Sequence, residues 1–140
     1  MSITSTKAFA EIQVKLPDRR REVYKAIAEN PNSSFYDIAD VLGWNLNQIS
    51  NRINELINLG LIEKTGTEIH GRFERDLFSI ITEKERVIAK QNQLYSGFVQ
   101  AKADLEADYH KCETEQGKEL LKNRIEYYKN KINALKNTQP

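Results

Sequence analysis

Between residues 46 and 58 the aliphatic side chains Leu46, Ile49, Ile53, Leu56 and Ile57 recur at helical spacing, while Asn47, Gln48, Asn51, Asn54 and Asn58 fill the intervening positions. That pattern predicts one amphipathic helix with an apolar stripe and an amide-rich opposite side. Asn45 followed three residues later by Gln48 is a start signal, and Gly60 is placed to end the helix in the left-handed conformation. Upstream, Ser34 and Asp37 repeat the start signal ahead of "FYDIADVLG". Pro17 separates two further helical patterns. One is a short helix over residues 5–15, capped by Ser5, with Ala8, Phe9 and Ile12 on one face. The other is "DRRREVYKAIAEN", with Val23, Tyr24 and Ile27 inward.

After Gly60 the period shortens. "LIEKTG", a polar tip "TEIHG" and "RFERDLFSII" predict a β-hairpin. Its register is open, because Leu77, Phe78, Ile80 and Ile81 cannot all face one way. From Thr82 the helical period returns, with a capping box at Thr82 and Glu85. Leu94, Phe98, Ala101, Leu105 and Tyr109 form one stripe, and Leu121, Ile125, Tyr128, Ile132 and Leu135 form a second. The expected break lies at Thr114 to Gly117. Two such stripes predict an antiparallel helical hairpin, whose second helix carries a short heptad seam of coiled-coil type. Tyr95, Val99 and Tyr127 lie off these stripes and leave apolar surface for another chain. The fold class expected is mainly α with a small β-hairpin: a helix-turn-helix unit with a wing over residues 1–82, then a helical hairpin over residues 83–140 for oligomerisation or partner binding.

The order helix, helix, turn, helix, hairpin carries a family resemblance. "SFYDIADVLGWNLNQISNRINELINLGLIEK" resembles the core of the winged helix-turn-helix group that includes MarR-like and Lrp-like regulators. The "LPDRR" opening and the "GR" pair in the wing look closer still to small phage-encoded winged-helix proteins. The resemblance spans about residues 16–81 and stops before the tail. It implies double-stranded DNA as the partner, a helix over 46–58 that reads the major groove, and regulation of transcription in a bacterial or phage-infected cell.

Amides suit that role chemically, since Asn and Gln pair bidentately with adenine N6 and N7. Asn47, Gln48, Ser50, Asn51 and Asn54 are the expected base-edge residues, with Arg52 reaching a phosphate or a guanine. Lys64, His70 and Arg72 on the wing, and Arg19, Arg20 and Arg21 at a helix start, are the expected phosphate contacts. Each set has a plainer alternative. The amides can be a solvated face, although Lys, Glu or Arg would supply one at lower helix cost. The cations can be ordinary surface charge or salt-bridge partners. Trp44 is expected in turn packing, and of Tyr127 and Tyr128 one is expected at an interface and one exposed.

Charge limits the DNA reading. The chain has a formal net charge of +1, so affinity for a polyanion must come from local placement. Residues 1–82 alone sum to −1. One cysteine, Cys112, excludes an intrachain disulfide framework, and the opening "MSITSTKAFAEIQVK" lacks the pattern of a signal peptide. A cytoplasmic protein is expected. His70 and His110 are far apart, with no metal-ligand spacing, no phosphate-cradling glycine loop and no nucleophile–base constellation. No cofactor, no metal and no enzymatic activity are expected. A homodimer assembled through Leu94, Phe98, Leu105, Leu121, Ile125, Tyr128, Ile132 and Leu135 is the expected assembly, with a protein partner for the tail as the alternative. The second reading of the whole chain is a protein-interaction or phage assembly and packaging module built on a winged helix. Small terminase subunits share that architecture of a helix-turn-helix domain joined to an oligomerising hairpin.

Overall fold

The structure, a computed structural model, describes residues 7–140. Six helices and one hairpin follow in order: α1 (Lys7–Gln13), α2 (Asp18–Glu29), α3 (Phe35–Leu42), α4 (Leu46–Asn58), β1 (Ile62–His70), β2 (Phe73–Ile80), α5 (Lys84–Lys111) and α6 (Glu115–Asn137). This is a mostly helical winged-helix unit followed by a helical hairpin. Ser5 as a cap, and the burial of Ala8, lie outside the described residues and side chains.

Local chemistry explains the element ends. Ser34 and Asp37 form a reciprocal capping box at α3, and Asn45 and Gln48 form another at α4. Gly43 and Gly60 take left-handed φ values of 69° and 72° after α3 and α4. Gly60 is also a point of close approach, since a Cβ there would sit 3.0 Å from Gln91 Cγ. Pro17 stands one position earlier than a first-turn proline, as the N-cap residue of α2.

Val23, Tyr24, Ile27, Ile38, Ile49, Ile53, Leu56, Leu61 and Ile81 make one sealed core. Phe9 of α1 stacks on Tyr24, ring centroids 5.3 Å apart. Burial pushes the Tyr24 hydroxyl far above the usual tyrosine range, because its anion would lose water without a compensating charge.

β1 and β2 pair antiparallel from Ile62↔Ile80 to His70↔Phe73, with a bulge between Lys64 and Gly66. Gly71 has φ of 65° and Arg72 does not, the type II′ pattern that suits a two-residue hairpin turn. The open register resolves simply. Phe78 and Ile80, two apart, face the core; Leu77 is half-buried on the other side; Ile81 lies past the strand, its N–H donating to Leu61 O. β2 gains a second neighbour through a bridge between Ser33 and Phe78, whose backbones exchange bonds of 3.1 and 2.8 Å.

The same Ile81 bond corrects the expected start of α5. It holds the chain extended, so the Thr82–Glu85 box does not form and Glu83 is the N-cap residue, without a side-chain cap. The Glu83 carboxyl is held below its usual range by backbone and Arg86 hydrogen bonds. The break in the hairpin is also displaced: the turn is 112–114, and Gly117 lies in the first turn of α6, its N–H donating to Thr114 Oγ1. A Cβ there would lie 2.6 Å from Cys112 Sγ and 2.7 Å from Thr114 Oγ1, so any larger residue displaces those side chains.

The base of the hairpin is rooted in the winged unit. Val87, Gln91 and Leu135 are buried, and Gln91 Nε2 donates to Leu59 O at 2.9 Å and Thr138 O at 3.2 Å. Arg86 Nη2 donates to both carboxylate oxygens of Glu63, at 2.7 and 2.6 Å. Among the described residues no helix is long and apolar enough to cross a membrane.

Candidate nucleic-acid interface

Packing of Ile49, Ile53 and Leu56 into the core fixes the roll of α4, and with it the opposite side. Asn47, Gln48, Asn51 and Asn54 are exposed there; Ser50 is half-buried and donates to Asn47 O at 3.2 Å. Gln48 is partly occupied, because its Oε1 accepts from Asn45 N–H at 3.3 Å. Its amide donors remain available. Asn47, Asn51 and Asn54 make no side-chain hydrogen bond among the described residues, so their amides face solvent with full capacity.

The expected phosphate contacts divide into engaged and open groups. Arg21 turns inward: its Nε donates to Gln13 O and its Nη2 to Leu16 O, both at 2.9 Å, satisfying carbonyls at the end of α1. Arg20 and Arg52 share Glu55, the first through its Nε and the second at 2.5 Å. Lys64 pairs with Asp76 at 3.1 Å across the hairpin. Arg19 lies over Trp44, 4.8 Å from the ring centroid, and that contact together with core packing accounts for a half-buried tryptophan in the turn. His70 and Arg72 are exposed at the wing tip. The structure therefore gathers Arg20 and Arg52 on Glu55 of α4, sets Arg19 over Trp44 in the turn before α4, leaves Arg72 and His70 exposed on the wing, and takes Arg21 into a structural bond.

A pair not expected from the sequence stands at the start of α3. Tyr36 is exposed and carries the Arg75 guanidinium 3.8 Å above its ring. The pair lines a cavity of about 290 Å³ with Phe35, Phe73 and Phe78. Nothing local in the sequence announces this contact, which depends on how the Ser33 bridge sets the wing against α3.

Among the described residues no group of His, Cys, Asp and Glu is placed to hold a metal ion. The hairpin stripes meet as expected: Phe98 packs on Tyr128 at 6.0 Å, while Tyr127 is exposed. Ile132 and Leu135 are buried; Leu94, Phe98, Leu105, Leu121, Ile125 and Tyr128 are half-buried.

Comparison with known proteins agrees with this geometry. A family model described as winged helix-turn-helix DNA-binding matches residues 16–63, which run from the link before α2 through α4 into the start of β1. No curated protein matches the chain. A solved structure entitled "Crystal Structure of a transcriptional regulator" is similar at 15% identity and a TM-score of 0.41, over 83% of this chain and 80% of that one. At that score the likeness bears on neither fold nor function. Residues 16–63 thus match a winged helix-turn-helix domain, completed in the fold by the wing and followed by the helical hairpin.

Proposed function

We propose that the protein is a sequence-specific double-stranded DNA-binding regulator, non-enzymatic, that acts as a homodimer through residues 83–140. The observation that carries this reading is the α4 surface. Asn47, Asn51 and Asn54 stand exposed and uncommitted on the side opposite Ile49, Ile53 and Leu56. A helix of this kind inserts its N-terminal residues into the major groove, where these amides meet adenine edges. Arg19, Arg20, Arg52 and Arg72 would supply phosphate contacts. Half-sites joined by a dimer would lie about 34–36 Å apart or a multiple of that.

Dimerisation is supported by exposed apolar side chains on the hairpin. Ile88, Tyr95 and Val99 lie along one exposed strip of α5, with Leu120 and Tyr127 exposed on α6. Two half-site contacts held together act at high effective concentration, so the dimer gains affinity that one winged unit lacks.

The test uses a duplex selected from a random pool by the full-length protein. Asn47→Ala/Asn51→Ala should weaken binding to it by about 1–3 kcal/mol per lost bidentate contact. The thermal midpoint should stay in place. Unchanged binding with a lowered midpoint would make the amides structural and end the base-reading role.

One observation favours a second reading, a protein-interaction or phage assembly module. Ile69 and Phe73 at the wing tip are 83% and 73% exposed. The strands behind them carry Glu63, Glu68, Glu74 and Asp76 against Lys64 and Arg75. Failure to bind any duplex at low salt would favour it.

A further inference from the structure

We propose that Glu55 restrains sequence-independent DNA affinity, an inference that rests on the DNA-binding reading above. Glu55 lies on α4 beside the amide face and is the shared partner of two guanidinium groups. Its Oε2 takes the Arg20 Nε of α2, and its Oε1 takes Arg52 Nη2 of α4 at 2.5 Å. The three side chains are 27–33% exposed, and Arg20 and Glu55 border an open cavity with Asn58 of α4 and Tyr127 and Lys131 of α6. Neither arginine is sequestered: each has donors beyond those Glu55 holds.

The charge arithmetic gives Glu55 its role. Two guanidinium groups and one carboxylate leave a single net positive charge where two phosphate contacts were expected. The carboxylate competes with phosphate oxygens for the same donors and repels the phosphates directly. Amide-to-base contacts from Asn47, Asn51 and Asn54 are unaffected by that competition. Glu55 therefore lowers affinity for every duplex, and the base contacts regain the difference only on the right sequence. Such a restraint leaves the ratio of specific to non-specific affinity unchanged but lowers the non-specific affinity itself, so that random DNA is held weakly. The Arg52 Nε–H, buried without an acceptor among the described residues, shows that this arginine is held where its hydrogen bonding is incomplete.

The experiment compares the full-length protein with Glu55→Gln, which keeps the shape and one acceptor but removes the charge. Affinity is measured for a random duplex and for a selected duplex across a salt series. Glu55→Gln should bind the random duplex several-fold more tightly at low salt. The plot of log affinity against log salt should steepen by about 0.9 for each arginine released. The selected duplex should gain by a similar factor, so that the ratio of specific to random affinity stays in place. An unchanged slope, or a uniform loss of affinity on both duplexes, would overturn the proposal; the second result would make Glu55 a residue that positions the arginines. If Glu55→Gln does not fold, Arg20→Gln/Glu55→Gln carries the test, since it must bind random duplex more tightly than Arg20→Gln alone. Absence of any binding by the unmodified protein would overturn the DNA-binding reading itself, a result distinct from normal binding with an indifferent Glu55.

Discussion

Ile49, Ile53 and Leu56 on α4 are sealed from solvent, whereas Leu121 and Ile125, spaced the same way on α6, remain half-buried. The stripes are equally regular. What differs is the number of neighbours. The α4 stripe is enclosed by α2, α3 and the wing, while the far part of the α5–α6 hairpin has only its sister helix. A two-helix pair covers one side of each stripe and leaves the flanks wet, so periodicity foretells which residues face inward but not how dry that inside becomes. Toward its base the hairpin changes character: Val87, Gln91, Ile132 and Leu135 are buried, most of them against the winged unit.

The comparison breaks most visibly under truncation. Ile53→Ala should cost about 2–5 kcal/mol of unfolding free energy in urea titrations, because its surroundings on every side resist collapse. Ile125→Ala should cost less than half as much, about 1–2 kcal/mol by the same reasoning. Equal costs at the two sites would mean that the far hairpin is covered in solution by more than the single chain supplies.

A second change sharpens the question of that cover. Tyr95→Glu/Val99→Glu places charge on the exposed strip of α5 and leaves the Phe98–Tyr128 contact of the α5–α6 seam in place, at the cost of one peripheral contact of Tyr95 with Lys136, 6.0 Å from its ring. Sedimentation should show the unmodified protein as a dimer and this variant as a monomer with an unshifted far-UV spectrum. A monomer in both cases would move the assignment of the strip to a different protein partner.

At the hairpin turn, Gly117→Ala should destabilise by about 1–3 kcal/mol, the usual range for forcing an atom into a filled site. Cys112→Ala should recover part of that loss, because the Cβ of Gly117→Ala would lie 2.6 Å from the removed sulfur. The smallest effect is expected at the wing. Arg72→Ala should leave folding alone and reduce the salt slope by about 0.9, equally on all duplexes. A loss confined to one sequence would instead put Arg72 on a base edge.

What the sequence disclosed follows the range of the interactions. The boxes at Ser34–Asp37 and Asn45–Gln48 span three residues each, and Gly60 acts on its own helix, so local reading found them. Thr82–Glu85 has the same signature and fails, because Leu61, distant in sequence, holds Ile81 in extended conformation. The site divides the same way. The amide face follows from helical period alone. Glu55 binding Arg20 across 35 positions, Arg75 over Tyr36, and Gln91 joining Leu59 to Thr138 depend on tertiary closure, and no spacing rule encodes them. Three basic residues that look equivalent, Arg19, Arg20 and Arg21, acquire three different partners for this reason.

The central claim is that this weakly charged surface reads DNA through amides, with few phosphate contacts. The most direct measurement is the affinity of the full-length protein for a selected and a random duplex as salt is raised. With Arg19 and Arg72 open and Arg20, Arg52 and Lys64 shared with carboxylates, the slope should be shallow, about −2 to −4 per protomer. The preference for the selected duplex should survive at high salt, since base contacts release few counterions. Absence of binding to either duplex at low salt would contradict the claim, as would a steep slope with no preference between them.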